Sequence, residues 1–157
     1  MTASQGGRSS ACRRGAQEVS EPVPYEPRPG DTPFDRLGRE RTLQLVARFY
    51  EVMDRDEPAL ARLHPLDEDG RVAVANRERF GMFLVGWLGG PQEYVAQHGH
   101  PRLRMRHSQV KVDVAMRDAW VRCIRRAMDD LGIEPELRVW LDGRFADVAD
   151  FLRNAPG

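Results

Sequence analysis

Residues 83–107 read FLVGWLGGPQEYVAQHGHPRLRMRH, and the punctuation of this stretch sets the reading of the whole chain. Phe80, Phe83, Leu84 and Trp87 recur at the 3.6-residue period of one helical face, which predicts a helix over 72–88. Gly89-Gly90-Pro91 ends it, because proline cannot extend the hydrogen-bond ladder and glycine leaves helical torsions freely. A short helical segment follows at 93–97, Gly99 breaks it, and HPRLRMRH closes the stretch. On a helix starting at Pro101, Leu103, His107 and Val110 share a face, which turns an imidazole inward among apolar side chains.

The same period continues on both sides. Leu45, Phe49, Val52 and Met53 predict a helix over 41–54, and a short piece at 59–63 stops at His64-Pro65. LDEDGR at 66–71 is a polar turn. Met116, Trp120, Cys123, Ala127 and Leu131 predict a helix over 113–131, with Asp113 as N-cap and Gly132 as C-cap. The last helix is expected over 135–153, with Leu137, Leu141, Phe145, Val148 and Leu152 on its core face. Only residues 109–112 alternate, and too briefly for a strand. The fold class is therefore all-α. Residues 1–32, rich in Gly, Ser and Pro, are expected to be a disordered N-terminal extension, with Val23 and Tyr25 as possible docking points, and 33–157 a single domain.

Composition removes several function classes. The 24 basic side chains balance 24 acidic ones and are interspersed with them, so neither nucleic acid nor an anionic membrane is indicated as partner. No apolar run approaches the roughly 20 residues of a membrane span. No apolar segment follows Arg8, Arg13 and Arg14, so a secretory signal is not expected and the cytoplasm is the default. Cys12 and Cys123 make no disulfide framework, and Cys123 on a helical stripe reads as a small buried hydrophobe.

Chemistry concentrates on the histidines. A buried imidazole needs an acceptor or a metal. Arg104, three residues before His107, is expected at the rim of the same side. An inward histidine with a cation at the edge suits a ligand that is apolar in the middle and anionic at its margin, which is the shape of a haem with its propionates. A zinc site from His98, His100 and His107 is the weaker reading, since no cysteine or carboxylate ligand lies close in sequence. There is no phosphate loop and no nucleophile elbow.

The 83–107 run resembles the signature of group II truncated globins, short bacterial haem proteins built as a two-over-two helical sandwich. RFY at 48–50, LHP at 63–65 and RDAW at 117–120 followed by Cys123 extend the resemblance in order, over residues 32–154. It implies that His107 is the proximal ligand of a b-type haem (iron protoporphyrin IX), with Leu103 and Val110 packed against the cofactor. It also implies that Tyr50 and Trp120 face an iron-bound ligand, with His64 at a third distal position. Arg79, Tyr94 and Arg104 match positions that hold the propionates. Phe80 and Phe83 would line the pocket, and Asn76 sits one turn before them. Taken singly, Tyr50 and Trp120 would be core packing and the arginines solvated charges; the joint pattern gives them roles.

The implied ligands are dioxygen, nitric oxide and carbon monoxide, with oxygen binding, sensing or scavenging as the role, in a monomer or homodimer. The alternative is a redox enzyme on the same haem, peroxidase-like or a nitric oxide dioxygenase served by an external reductase. The chain departs from the family pattern in three places, one of them a slightly longer loop between His64 and Arg77, which bears on the placement of Asn76. Gln109 and Val110 stand where Pro-Phe is usual, which predicts a looser turn after His107, and Gly38-Arg39 replaces a Gly-Gly hinge.

Overall fold

The computed structural model describes residues 23–156, and among them it contains helices and two isolated bridges but no strand. Helix α1, Pro33–Asp56, starts earlier than periodicity predicts. A capping box explains the start: the Thr32 hydroxyl accepts from the Asp35 amide, and the Asp35 carboxylate accepts from that of Thr32. At Gly38 the helix kinks, with φ +78°, a torsion only glycine takes without strain. One glycine therefore suffices for the hinge, and Arg39 is free to pair with Glu93 at 2.7 Å.

After a short α2, Pro58–Ala61, helix α3 occupies Val74–Trp87. It begins two residues later than expected because Val72 is committed elsewhere. Its amide donates to Asp54 and its carbonyl accepts from Arg77, whose guanidinium also reaches Asp54 at 2.6 Å. A Cβ on Gly90 would lie 2.8 Å from the Phe34 ring and the Val85 carbonyl, so the turn closing α3 admits no side chain there. The Phe34 amide donates to the Leu88 carbonyl across the same junction.

Two short helices follow, α4 at Glu93–His98 and α5 at Leu103–His107. Helix α6, Val114–Leu131, is capped as read, with Asp113 accepting from the Met116 amide and Gly132 left-handed at the end. Helix α7 runs over Pro135–Leu152. Helices α1 and α3 form one layer, α6 and α7 the other, and α1 packs across on α6: a two-over-two sandwich. Leu45, Phe49 and Met53 meet Leu84, Ile124, Met128, Leu137 and Leu141 in the core. Burying side chains of this size contributes about 1.5–3 kcal/mol each.

The packed part of the chain begins before residue 33. Tyr25 is buried edge-on against Trp140 with ring centres 6.0 Å apart, the Arg36 guanidinium lies over it, and its hydroxyl donates to the Asp31 carbonyl. The expectation of disorder through residue 32 thus gives way over 23–32, where an aromatic anchor compensates for the missing regular pairing. Val23 stays exposed. Residues 1–22, Cys12 included, lie outside the described residues.

Candidate functional site

A cavity of about 440 Å³ separates the α1–α3 side of the molecule from α5 and the ends of α6 and α7. Phe49, Phe80, Phe83, Met116 and Val148 contribute to an apolar lining. An apolar space of this size is within the range of small-molecule and cofactor pockets.

On one wall stands His107, at the end of α5. Its Nδ1 lies 2.7 Å from the Leu103 carbonyl oxygen, one turn earlier. A carbonyl only accepts, so Nδ1 carries a proton, and in the neutral ring Nε2 is the nitrogen with the lone pair. That is the tautomer of a metal-ligating histidine with its second nitrogen oriented by the backbone. Leu103 and Val110 line the cavity beside it, as the shared face implies.

The opposite wall carries Tyr50 on α1 and Trp120 on α6. Tyr50 is buried, and burial pushes its hydroxyl well above the usual phenol range, so it stays protonated. The Asn76 amide is 3.5 Å from that hydroxyl, at the limit of a hydrogen bond. The Arg77 guanidinium backs the Tyr50 ring at 5.5 Å. Among the described residues, no protein group accepts from the Tyr50 O–H or the Trp120 indole N–H. Tyr50, buried, and Trp120, partly buried, thus bring two hydrogen-bond donors to the cavity lining, available to an acceptor bound there.

His64 differs in kind from these two. Its Nδ1 contacts the Leu60 carbonyl at 3.0 Å, which again leaves Nε2 as a lone pair. Burial lowers its pKa below the ordinary histidine value, so it is neutral at pH 7. The expected distal set of three therefore comprises two donors and one acceptor.

At the rim the structure departs from the sequence reading. Arg106, not Arg104, lines the cavity, and the Arg104 guanidinium lies 4.6 Å over the exposed Phe151 ring. At about 100° per residue, positions 104 and 106 fall about 80° to either side of the face that 103 and 107 share, so the packing of α5, not its period, decides between them. Arg106 also donates to the Pro101 carbonyl at 2.8 Å. Arg79 lines the cavity where expected and carries no ion pair among the described residues, and Tyr94 lines it with its ring buried. Arg117 reaches the lining unannounced, already paired with Asp118 and Asp150. His98 and His100 are exposed and off the cavity.

Another group escaped the sequence reading entirely. Asn154, just past α7, donates through Nδ2 to the carbonyls of His107 and Val110 and accepts at Oδ1 from the Val112 amide. Its backbone N–H donates to the Val112 carbonyl at 2.9 Å. This clamp holds the turn after His107, which lacks the family's Pro-Phe. No local pattern announces it, because its partners lie more than 40 residues away.

Cys123 is buried and its thiol is pushed up to about 12 by burial, so it packs as a hydrophobe and is not a nucleophile.

Comparison with known proteins decides the family. The model for "Bacterial-like globin" matches residues 32–154. The chain belongs to the bacterial-like globin family. The group 2 truncated hemoglobin YjbI of Bacillus subtilis strain 168 is 36% identical over 124 residues, 79% of this chain and 89% of that protein. The truncated hemoglobin of the Antarctic marine bacterium Pseudoalteromonas haloplanktis TAC125, described as cold-adapted, superposes with a TM-score of 0.72 at 39% identity. That match covers 80% of this chain and 99% of the other. A Bacillus subtilis structure described as a truncated oxygen-avid haemoglobin gives 0.71 at 35% identity, over 79% of this chain and all of that one, 100%. This globin is thus a group II truncated haemoglobin, and membership carries haem binding with it. Its cavity suits that group in three independent ways: a histidine with a free Nε2, an apolar lining, and an unpaired arginine at the rim. Among the described residues, no helix is long and apolar enough to cross a membrane.

Proposed function

We propose that this globin holds a b-type haem through His107 Nε2 and binds dioxygen beneath Tyr50 and Trp120, retaining it rather than delivering it. The observation that carries the reading is that Tyr50 and the partly buried Trp120, neither donor having a protein acceptor among the described residues, line the same apolar cavity as a histidine whose Nδ1 is tied off. When bound, the haem supplies an iron at which dioxygen, nitric oxide or carbon monoxide coordinates. The chain supplies what distinguishes these ligands. Dioxygen held there would carry partial negative charge and would accept from the Tyr50 hydroxyl and the Trp120 indole, whereas carbon monoxide would gain little from them.

A hydrogen bond to a charged acceptor is worth about 1.5–3 kcal/mol, and about 1.4 kcal/mol is a factor of ten. Two such bonds slow dioxygen release by a factor on the order of 100 or more. The oxygen-avid description of the Bacillus subtilis relative is in keeping with this. Arg79 and the Tyr94 hydroxyl would hold the propionates, with Arg106 taking the place expected of Arg104.

The test is an absorption spectrum of the purified chain, oxidised and reduced, with and without carbon monoxide, beside His107→Ala. The expected result is a haem spectrum with a carbon-monoxide shift, and loss or misligation of haem in the variant. An unchanged spectrum in His107→Ala would overturn the axial assignment.

A further inference from the structure

Trp120 is both part of the cavity wall and the first member of a file of rings leading out of it. Its ring meets Phe145 edge-on at 5.9 Å, and Phe145 stacks on Trp87 at 5.2 Å with planes 22° apart. Trp87 in turn lies 6.3 Å from Trp140. Trp87 and Trp140 both line a surface groove, together with Pro27, Thr32 and Arg144. All 3 tryptophans of the chain therefore stand in one file from cavity to surface.

Core packing accounts for Phe145, which is buried, but not for the choice of indoles at the other places. Trp87 and Trp140 are half-exposed, and phenylalanine would fill the same space. Indole is, with phenol, the side chain that most readily gives up a single electron. A single ring separates Trp120 from Trp87, and Trp87 is adjacent to Trp140, so each transfer is short. Tyr25 touches Trp140 but does not continue the file. Its hydroxyl donates to a backbone carbonyl, which cannot take the proton, and the Arg36 guanidinium sits 4.1 Å from its ring centre, opposing positive charge. Trp140 is the outer end.

We propose that this file is an electron path, through which peroxide reduction at the haem draws electrons from anionic donors too large to enter the cavity. The proposal rests on reading the cavity as a haem pocket. One hydrogen peroxide takes two protons from solvent and two electrons, and becomes two waters. The electrons come singly from two donor molecules docked at the groove, each leaving oxidised by one electron. Each electron enters at Trp140 and passes through Trp87 and Trp120, and every indole returns to its starting state. Arg144 selects negative charge. It lies 6.0 Å from the Trp140 ring, and its nearest carboxylate, Asp147, is a loose 3.7 Å away.

The haem-loaded full chain is given hydrogen peroxide and the dye ABTS, a bis-sulfonate dianion too bulky for the cavity. Trp87→Phe and Trp140→Phe should each slow dye oxidation by roughly tenfold or more, with dioxygen release unchanged. Arg144→Gln should raise the KM for the dye and leave kcat alone. A second readout needs no dye and no variant. After peroxide alone, mass spectrometry of the digested wild-type chain should find oxidised indole at Trp140, and in Trp87→Phe the mark should retreat to Trp120. Dye rates unchanged in both tryptophan variants, or oxidation confined to Tyr50 and Trp120 in the wild-type chain, would overturn the path. The absorption spectrum of the same sample separates the failures: no haem sinks the pocket reading and the path together, whereas a normal haem spectrum with unaltered rates sinks the path alone.

Discussion

The two walls of the cavity are built from very different stock. Tyr50 and Trp120 ride on α1 and α6, long helices that pack on each other and bury residues along their length. His107 ends a five-residue helix with no buried residue, entered through Arg102 in the left-handed region at φ +46°. What steadies that wall comes from outside it: the Leu103 carbonyl at Nδ1 and the Asn154 clamp on the following turn. Tyr50 and Trp120 are thus fixed by the core, while His107 depends on local hydrogen bonds. On the proposed reading, specificity is rigid and attachment is conditional.

Removing the haem should break the contrast most sharply. We expect the apo chain to melt roughly 8–16 °C lower, as an occupant present far above its Kd contributes about 4 kcal/mol, each worth roughly 2–4 °C at this size. Hydrogen exchange should show α5 and residues 108–112 losing protection while α1 and α6 keep theirs. Equal loss on both sides would refute the difference between the walls.

Replacing a donor tests the rigid wall. Tyr50→Phe and Trp120→Phe should each speed dioxygen release about tenfold or more, measured by stopped flow, with carbon monoxide release little altered. An unchanged dioxygen rate in either would remove that residue from the proposed role.

Asn154→Ala sharpens the comparison from the other side. Its side-chain hydrogen bonds are exposed and worth about 1 kcal/mol each at most, so haem loss should quicken several-fold. The iron–histidine stretching band should broaden or shift while dioxygen release stays close to wild type. A shift in dioxygen release with no change in that band would place Asn154 on the wrong wall.

The smallest effect concerns acidity. Burial lowers the His64 pKa in the folded chain, so between that value and about 6.5 the unfolded chain binds more protons. Stability from this group is full above pH 6.5 and is lost as pH falls toward the folded pKa. Denaturation midpoints followed from pH 7.5 to roughly 5 should decline less in His64→Phe than in wild type; parallel declines would exclude His64 as the source.

Much of this was open to reading from residues alone. The period of Leu45, Phe49 and Met53 and that of Cys123 and Ala127 mark faces that are in fact buried, because periodicity and burial are the same constraint seen twice. The caps at Asp113 and Gly132 are local chemistry and fell where expected. The histidine, the tyrosine and the tryptophan were picked out by a motif whose members the fold brings to one cavity.

Other features were out of reach for physical reasons. Spacing along α5 sets Arg104 and Arg106 equally far from the face of 103 and 107, and only the packing of that helix decides which of them reaches the cavity. The capping box at Thr32 and Asp35 was legible in principle, yet Gly38 masked it by interrupting the helix it opens. Tyr25 was only a possible anchor because its partner, Trp140, is far along the chain.

The order of helices, their apolar faces and the inward turn of His107 are matters of local pattern, and they are written into the chain directly. Which histidine nitrogen is free, which arginine reaches the rim, that Asn154 closes the turn behind His107 and that three tryptophans line up from cavity to surface are long-range facts. They arise from packing between elements distant in sequence, where a rotation of one helix face changes every contact at once.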